Sequence, residues 1–334
     1  MPRHFLNLDD FSRDEVERLL SLAEELRGRR TLELLRGRTI VLLFFDPSLR
    51  TRVSMELAAA ELGAHAVTLD VGKGIWSLEW RDGAVMDGDK TEHVKEAVRV
   101  LSRYGDLIGV RAFPERRSWE EDRKDPVLAA FARWSGVPVV NLESALWHPC
   151  QALADVLTIR RAFGGRRPKK LVLTWANHPK ALPVAVPSSF ALAATQQGWD
   201  LAIARPEGYD LPEETMARCR ENARRAGSRL EVTEDRRAAF EGAEVVYAKS
   251  WGRLDRIGAE AQEIAERRER GLARWIVDRE SMGWTAGARF MHCLPVRRNV
   301  VVTDEVLDSA ASIVFDQAEN RLHAQKALLA WLLK

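Results

Sequence analysis

Short continuous apolar runs alternate along this chain with stretches whose apolar positions recur at helical spacing. Thr39-Ile40-Val41-Leu42-Leu43-Phe44-Phe45 reads as a buried strand, as do the runs at 66–69, 107–110 and 137–140. Between them, 53–62, 92–104 and 126–134 carry the helical rhythm. Ser12-x-x-Glu15 is a capping box opening a helix over Val16, Leu19, Leu20, Ala23 and Leu26, which Gly28 stops. A glycine-rich, non-periodic loop fills 71–89. A second alternating block places strands at 170–175, 201–204, 245–247, 290–293 and 313–315. The helix at 151–163 bridges the blocks, followed by the basic stretch Gly164–Pro168, and a last helix over 318–333 returns to the first block. Alternation of this kind predicts an α/β chain: two doubly wound parallel-sheet domains with an interdomain cleft. The boundaries read as 1–150, completed by a C-terminal helix at 318–334, and 151–317.

Composition narrows the function classes. With 334 residues, 46% of them hydrophobic, there is material for two cores. The 51 basic and 49 acidic residues leave a net charge of +2, so no broad field draws the chain to nucleic acid or to a membrane surface. Anion affinity must then come from local arginine placement. Cys150, Cys219 and Cys293 are too scattered for a disulfide framework or a metal cluster, and no apolar run is long enough to span a bilayer. The opening Met1-Pro2-Arg3-His4 has no apolar signal core, so the expected location is cytoplasmic.

The candidate chemistry gathers just after the strands, where open parallel sheets collect ligands. Ser48-Leu49-Arg50-Thr51-Arg52 joins the first strand to a helix. Two arginines, two hydroxyls and a helix N-terminus in one turn suit a phosphate better than a plain cap does. No Gly-rich loop or Gly-Lys-Ser/Thr is present there, so the phosphate belongs to a small ligand. Arg111 follows a strand and could be a surface arginine by itself. Glu143 and His148 follow another. In His148-Pro149-Cys150-Gln151 an imidazole can donate to a carbonyl oxygen while the Gln151 amide accepts from an NH2, which suits a carbamoyl group. A structural histidine is the plainer alternative. His178 heads a loop with prolines at 179, 183 and 187, whose ordinary reading is a stiff connector. Lys249 follows Tyr247. His292-Cys293-Leu294-Pro295 precedes Arg297 and Arg298, and by itself a buried thiol is an equal reading. Trp76, in the flexible loop, is either a packing anchor or a flap over a ligand.

Together the Ser-Leu-Arg-Thr-Arg, His-Pro-Cys-Gln and His-Cys-Leu-Pro motifs resemble the aspartate/ornithine carbamoyltransferase family, in order and over nearly the whole chain. One departure is informative. Where the ornithine branch has an aspartate for the α-ammonium of ornithine, this chain has Lys249, within Tyr247-Ala248-Lys249-Ser250-Trp251. A cation beside an ammonium is repulsive, whereas an acylated α-nitrogen is neutral and leaves Lys249 to bind the α-carboxylate. That pattern, with Met86-Asp87-Gly88-Asp89 and the proline-rich loop at 178–187, resembles the branch that uses N-acylated ornithines. In that branch the loop is knotted, and trimers share active sites, with Trp76 at the position donated across the interface. Acetyl-specific relatives carry glutamate, and succinyl users proline, where this chain has Thr91, preceded by Lys90. Threonine cannot repel a succinyl carboxylate, so the expected acceptor is N-succinyl-L-ornithine, with N-acetyl-L-ornithine as the alternative. Val301 stands where some relatives have a modifiable lysine, so no modified lysine is expected.

The resemblance implies transfer of a carbamoyl group from carbamoyl phosphate to the δ-amine, a step of arginine biosynthesis, without metal or cofactor. It assigns Ser48, Leu49, Arg50, Thr51, Trp76 and Arg111 to carbamoyl phosphate. His148, Arg321, Thr51 and Arg111 would stabilise charge on the carbamoyl oxygen, and Gln151, Cys293 and Leu294 would orient its NH2. Glu143, His178, Lys249, Leu294 and Arg297 would grip the acylornithine, with Thr91 and Lys90 at the acyl end. The competing class is a non-catalytic anion binder, which would not need His148-x-x-Gln151. No Gly-x-Gly-x-x-Gly turn supports a dehydrogenase.

Overall fold

Each apolar run in the first half of the chain becomes a strand of one parallel sheet in the computed structural model, which describes residues 2–334. The strands are β1 (Thr39–Phe44), β2 (His65–Asp70), β3 (Leu107–Arg111) and β4 (Val139–Glu143), in the order β2-β1-β3-β4. The principal helices of this part are α1 (Arg13–Leu26), α2 (Leu49–Glu61), α3 (Val94–Tyr104) and α4 (Pro126–Trp134). The capping box of α1 is formed: Ser12 Oγ accepts from the Glu15 N–H at 3.3 Å, and the Glu15 carboxylate accepts from the Ser12 N–H at 2.9 Å. On one face of the sheet, Val41, Leu43, Ile108 and Val110 pack with Val94 and Val98 of α3 and Phe131 of α4. Burying such side chains contributes about 1.5–3 kcal/mol each. The helix expected at 53–62 starts a turn early, because Ser48 caps it.

The second half builds a five-stranded parallel sheet from β5 (Leu171–Trp175), β6 (Leu201–Ala204), β7 (Leu230–Thr233), β8 (Val245–Lys249) and β9 (Arg289–Met291), ordered β9-β8-β5-β6-β7. The further principal helices are α5 (Pro149–Ala162), α6 (Ala185–Gln196), α7 (Glu213–Ala226), α8 (Glu260–Glu269) and α9 (Val314–Leu333). By contact the chain divides into two compact units, Met1–Glu115 with Glu120–Leu153 and Arg321–Lys334, and Arg116–Trp119 with Ala154–Asn320.

The expected strand at Ile313-Val314-Phe315 does not form. Ser312 makes only an isolated bridge to Phe290, and α9 begins at Val314. A short apolar triplet carries no period of its own, and the helical pattern that follows wins. β7 escaped the sequence reading because it is an edge strand with Glu231 and Val232 exposed, so it shows no apolar run. Pro187, read as part of a loop, sits in the first turn of α6, where a missing N–H leaves no helix bond unmade. No helix among the described residues is long and apolar enough to cross a membrane.

Each sheet begins at an inner strand and reverses its winding. The chain places β2 on one side of β1 and β3 on the other; it places β6 and β7 on one side of β5, then β8 and β9 on the other. The gaps beyond β1/β3 and β5/β8 are therefore the topological switch points, where open α/β sheets bind ligands.

Candidate active site

The switch point of the first unit holds most of the suspected residues. Ser48 is the N-cap of α2, its hydroxyl accepting from the Thr51 N–H at 3.2 Å. The N–H groups of Leu49 and Arg50 form the first turn, with the positive end of the helix dipole behind them. The Leu49 side chain is 73% exposed, so only its backbone belongs to this turn. Arg50 is half-buried. Arg52, the other arginine of the motif, is ion-paired to Asp70 and packs on Phe44, pointing to structure rather than ligand.

Buried side chains face that turn. Arg321 donates to Thr51 Oγ1 at 3.0 Å and to Gln151 Oε1 at 2.7 Å, joining three residues far apart in sequence. Arg111, at the end of β3, pairs with Glu143 at the end of β4, and Glu143 Oε2 lies 3.4 Å from His148 Nε2. Arg111, His148, Gln151, Thr51 and Arg321 are all buried. Buried cations so arranged are a prebuilt environment for an anion, because in low dielectric each is worth more than in water.

The sequence did not reveal what supports the turn carrying Glu143 and His148. Asp125, just before α4, accepts from Ser144 Oγ at 2.8 Å and from the Ala145 N–H at 2.7 Å. Asn141 Nδ2 donates to Ser144 Oγ at 3.0 Å, and Asn141 Oδ1 accepts from the Glu143 N–H at 2.9 Å. Burial pushes the Asp125 carboxyl up to about 6, against the opposing pull of these hydrogen bonds. Glu143 itself has φ 147°, a conformation costing a non-glycine residue about 1–3 kcal/mol.

In the second unit the switch point lies between His178, after β5, and Lys249, the last residue of β8. His178 Nδ1 accepts from the Lys180 N–H at 3.0 Å, which fixes the ring. Burial, chiefly, holds this imidazole below the usual histidine range, and the neighbouring Lys249, Arg297 and Arg267 charges push the same way. A neutral ring among cations suits a carboxylate ligand.

The His292–Pro295 turn is held from behind. The His292 N–H donates to Gln317 Oε1 at 3.0 Å, Gln317 Nε2 donates to Asp155 Oδ1 at 2.7 Å, and the Leu294 N–H donates to His292 Nδ1 at 2.9 Å. Leu294 has φ 54°, and Cys293 and Leu294 are half-buried. Arg298 is bound to Asp304 and Asp308, whereas Arg297 is exposed and close enough to His178 to act on it.

The loop residues of the first unit bond within their own segment or face solvent. Trp76 is 54% exposed, its indole N–H donating to Glu92 Oε2 at 2.8 Å. Thr91 is exposed, and Lys90 Nζ lies 3.4 Å from the centre of the Trp80 ring and 4.0 Å from buried Glu79. Lys90 is thus engaged within its own loop. Among the described residues no group of three or more His, Cys, Asp or Glu is arranged to hold a metal ion.

Comparison with known proteins gives this geometry a context. Residues 3–161 match the aspartate/ornithine carbamoyltransferase carbamoyl-P binding domain, and residues 184–332 match the Asp/Orn binding domain of the same family. The chain is 47% identical over 334 residues to an N-acetylornithine carbamoyltransferase of Xanthomonas campestris pv. campestris, covering 99% of this chain and 98% of the relative. It is 41% identical over 305 residues to an N-succinylornithine carbamoyltransferase of Bacteroides thetaiotaomicron, covering 91% and 90%. A solved glutamate-to-proline mutant of N-acetyl-L-ornithine transcarbamylase, complexed with carbamyl phosphate and N-succinyl-L-norvaline, superposes with a TM-score of 0.96 at 47% identity over 98% of this chain and 99% of that one. The chain belongs to the aspartate/ornithine carbamoyltransferase family, on the side of its N-acylornithine members.

Proposed function

We propose that this protein transfers the carbamoyl group of carbamoyl phosphate to the δ-amine of N-acetyl-L-ornithine, giving N-acetyl-L-citrulline and phosphate. The observation that carries the acylated acceptor is Lys249 at the second switch point, its charge and that of Arg297 both acting on His178. This cationic corner matches an α-carboxylate and opposes an α-ammonium. Acetyl over succinyl follows the degree of similarity, 47% against 41%, which favours the acceptor placed second from sequence.

In this reading the first turn of α2, with Ser48, Arg50, Thr51 and Arg111, binds the phosphate. Trp76 covers it from a neighbouring subunit. The amine nitrogen bonds to the carbamoyl carbon, the C–O bond to phosphate breaks, and a proton lost from nitrogen leaves with the phosphate. His148, Arg321, Thr51 and Arg111 stabilise the oxyanion between these events, and Gln151 with the Cys293 and Leu294 carbonyls orients the NH2. Glu143, His178, Lys249, Leu294 and Arg297 hold the acceptor. A free δ-amine titrates near ~10.4, so presenting it neutral at pH 7 costs about 4–5 kcal/mol. Burial of the bound amine lowers that cost.

A second reading, N-succinyl-L-ornithine, is favoured by Thr91, which brings no carboxylate to the acyl end and has Lys90 next to it. Association with further copies of the chain, in the homotrimer that the family resemblance implies, is supported by α2, where Leu49, Val53 and Leu57 form an exposed apolar stripe at helical spacing. A second copy of the chain would cover it. Phosphate release from carbamoyl phosphate, measured with ornithine, N-acetylornithine and N-succinylornithine in parallel, tests the function. Turnover of free ornithine above both acylated forms would overturn it.

A further inference from the structure

Two candidate acceptor ligands of the second unit, His178 and Lys249, sit on neighbouring segments, the loop 176–182 after β5 and the stretch 249–252 that ends β8. Ser250 Oγ donates to the Asn177 carbonyl at 3.2 Å, and the Gly252 N–H donates to the Leu182 carbonyl at 2.9 Å. Behind them stands Arg267, on α8. One of its terminal nitrogens donates to the carbonyls of His178 at 2.8 Å and Lys180 at 3.3 Å; the other donates to the carbonyl of Trp251 at 3.3 Å. A single guanidinium thereby bonds to both segments.

The environment of Arg267 is closed. The residue is 3% exposed, its charge is answered by fully buried Glu263 one turn earlier, and its Nε also donates to the Tyr209 hydroxyl at 3.0 Å. Its guanidinium lies 5.3 Å from the ring centres of both Trp175 and Tyr209. Trp175 adds a bond of its own, its indole N–H donating to the Trp251 carbonyl at 2.9 Å. Removing two charges from water is expensive, and apolar residues of similar volume often stabilise an interior as well or better. A buried pair whose donors are directed at loop carbonyls therefore points to geometry rather than to stability.

We propose that Arg267, held by Glu263 and Tyr209, is a positioning residue that sets the spacing of His178 and Lys249 for the acceptor substrate. The inference rests on the acylornithine reading of those two residues. Arg267 bonds to the backbones that carry them, and its planar fork matches the separated carbonyls. A lysine keeps the charge but has a single donor atom that cannot span them.

Steady-state kinetics with carbamoyl phosphate and N-acetylornithine on the wild type, Arg267→Lys and Tyr209→Phe tests the idea. Arg267→Lys is expected to raise the acceptor KM at least tenfold while the carbamoyl-phosphate KM stays within twofold. Tyr209→Phe, which removes one bond to the guanidinium, is expected to raise the acceptor KM about threefold. An acceptor KM within twofold of wild type in Arg267→Lys, or both KM values rising together, overturns the clamp. If Arg267→Lys does not fold, Tyr209→Phe decides, and an unchanged acceptor KM there overturns it. Wild type that turns over no acylornithine overturns the underlying reading, and the clamp with it; an active wild type with unaffected variants overturns the clamp alone.

Discussion

The two switch points are built on different plans. In the first unit the candidate ligands are themselves buried and bonded to one another: Arg321 to Thr51 and Gln151, Arg111 to Glu143. In the second, Arg297 is exposed, His178 lies on a loop, and the closed network stands one layer behind, at Arg267, Glu263 and Tyr209. The contrast suits the proposed ligands. A small dianion is recognised by fixed charge that need not rearrange when it binds. A longer amino-acid derivative is held at several points, and its ligands need spacing as much as charge.

The largest test of this contrast is His148→Ala. Loss of one oxyanion donor should lower kcat about 10²–10³-fold in a steady-state assay. Turnover that survives with little change would leave the first unit as an anion binder only. Next is Lys249→Asp, which places at the second switch point the residue type of the ornithine branch. It should lower kcat/KM for acylornithine about 10²-fold, roughly 3 kcal/mol, by exchanging a charged hydrogen bond for repulsion. The carbamoyl-phosphate KM should change less than threefold, and an equal loss for both substrates would erase the division of labour drawn above. Thr91→Glu should weaken N-succinylornithine about tenfold, through like-charge repulsion, and leave N-acetylornithine nearly unchanged. Equal effects on the two would remove residue 91 from the acyl end.

A test of stability rather than of turnover concerns Asp125. Its folded-state value of about 6 lies above the ordinary 3.8, so the folded protein holds this proton more tightly than the unfolded chain. The contribution is most favourable below the ordinary value and is lost as pH rises toward about 6, by at most about 3 kcal/mol. Asp125→Asn should flatten the change in denaturant stability between pH 4 and 7. An unaltered slope would show that the carboxyl is not held protonated in this way.

The first switch point was legible because its chemistry is local. Ser48 through Arg52 occupy one turn, and His148 and Gln151 lie three positions apart on one helix start. The strands of the four-stranded sheet announced themselves as apolar runs. What stayed hidden depends on long-range contact. Asp125, Gln317 and Arg267 act on residues far away in sequence, and each sits in an unremarkable polar stretch. For Arg267 the only local sign was Glu263 four positions earlier, in a helix where such pairs are ordinary surface features. The acyl preference stayed ambiguous for another reason: Thr91 removes a charge without supplying a new contact.

The first unit is not continuous in the chain; Arg321–Lys334 complete it, and Arg321 is the donor that reaches Thr51. During synthesis from the N-terminus, residues 2–153 therefore emerge long before the piece that finishes their anion pocket. The turn that opens α2 lacks its Arg321 partner until residues 321–334 have left the ribosome.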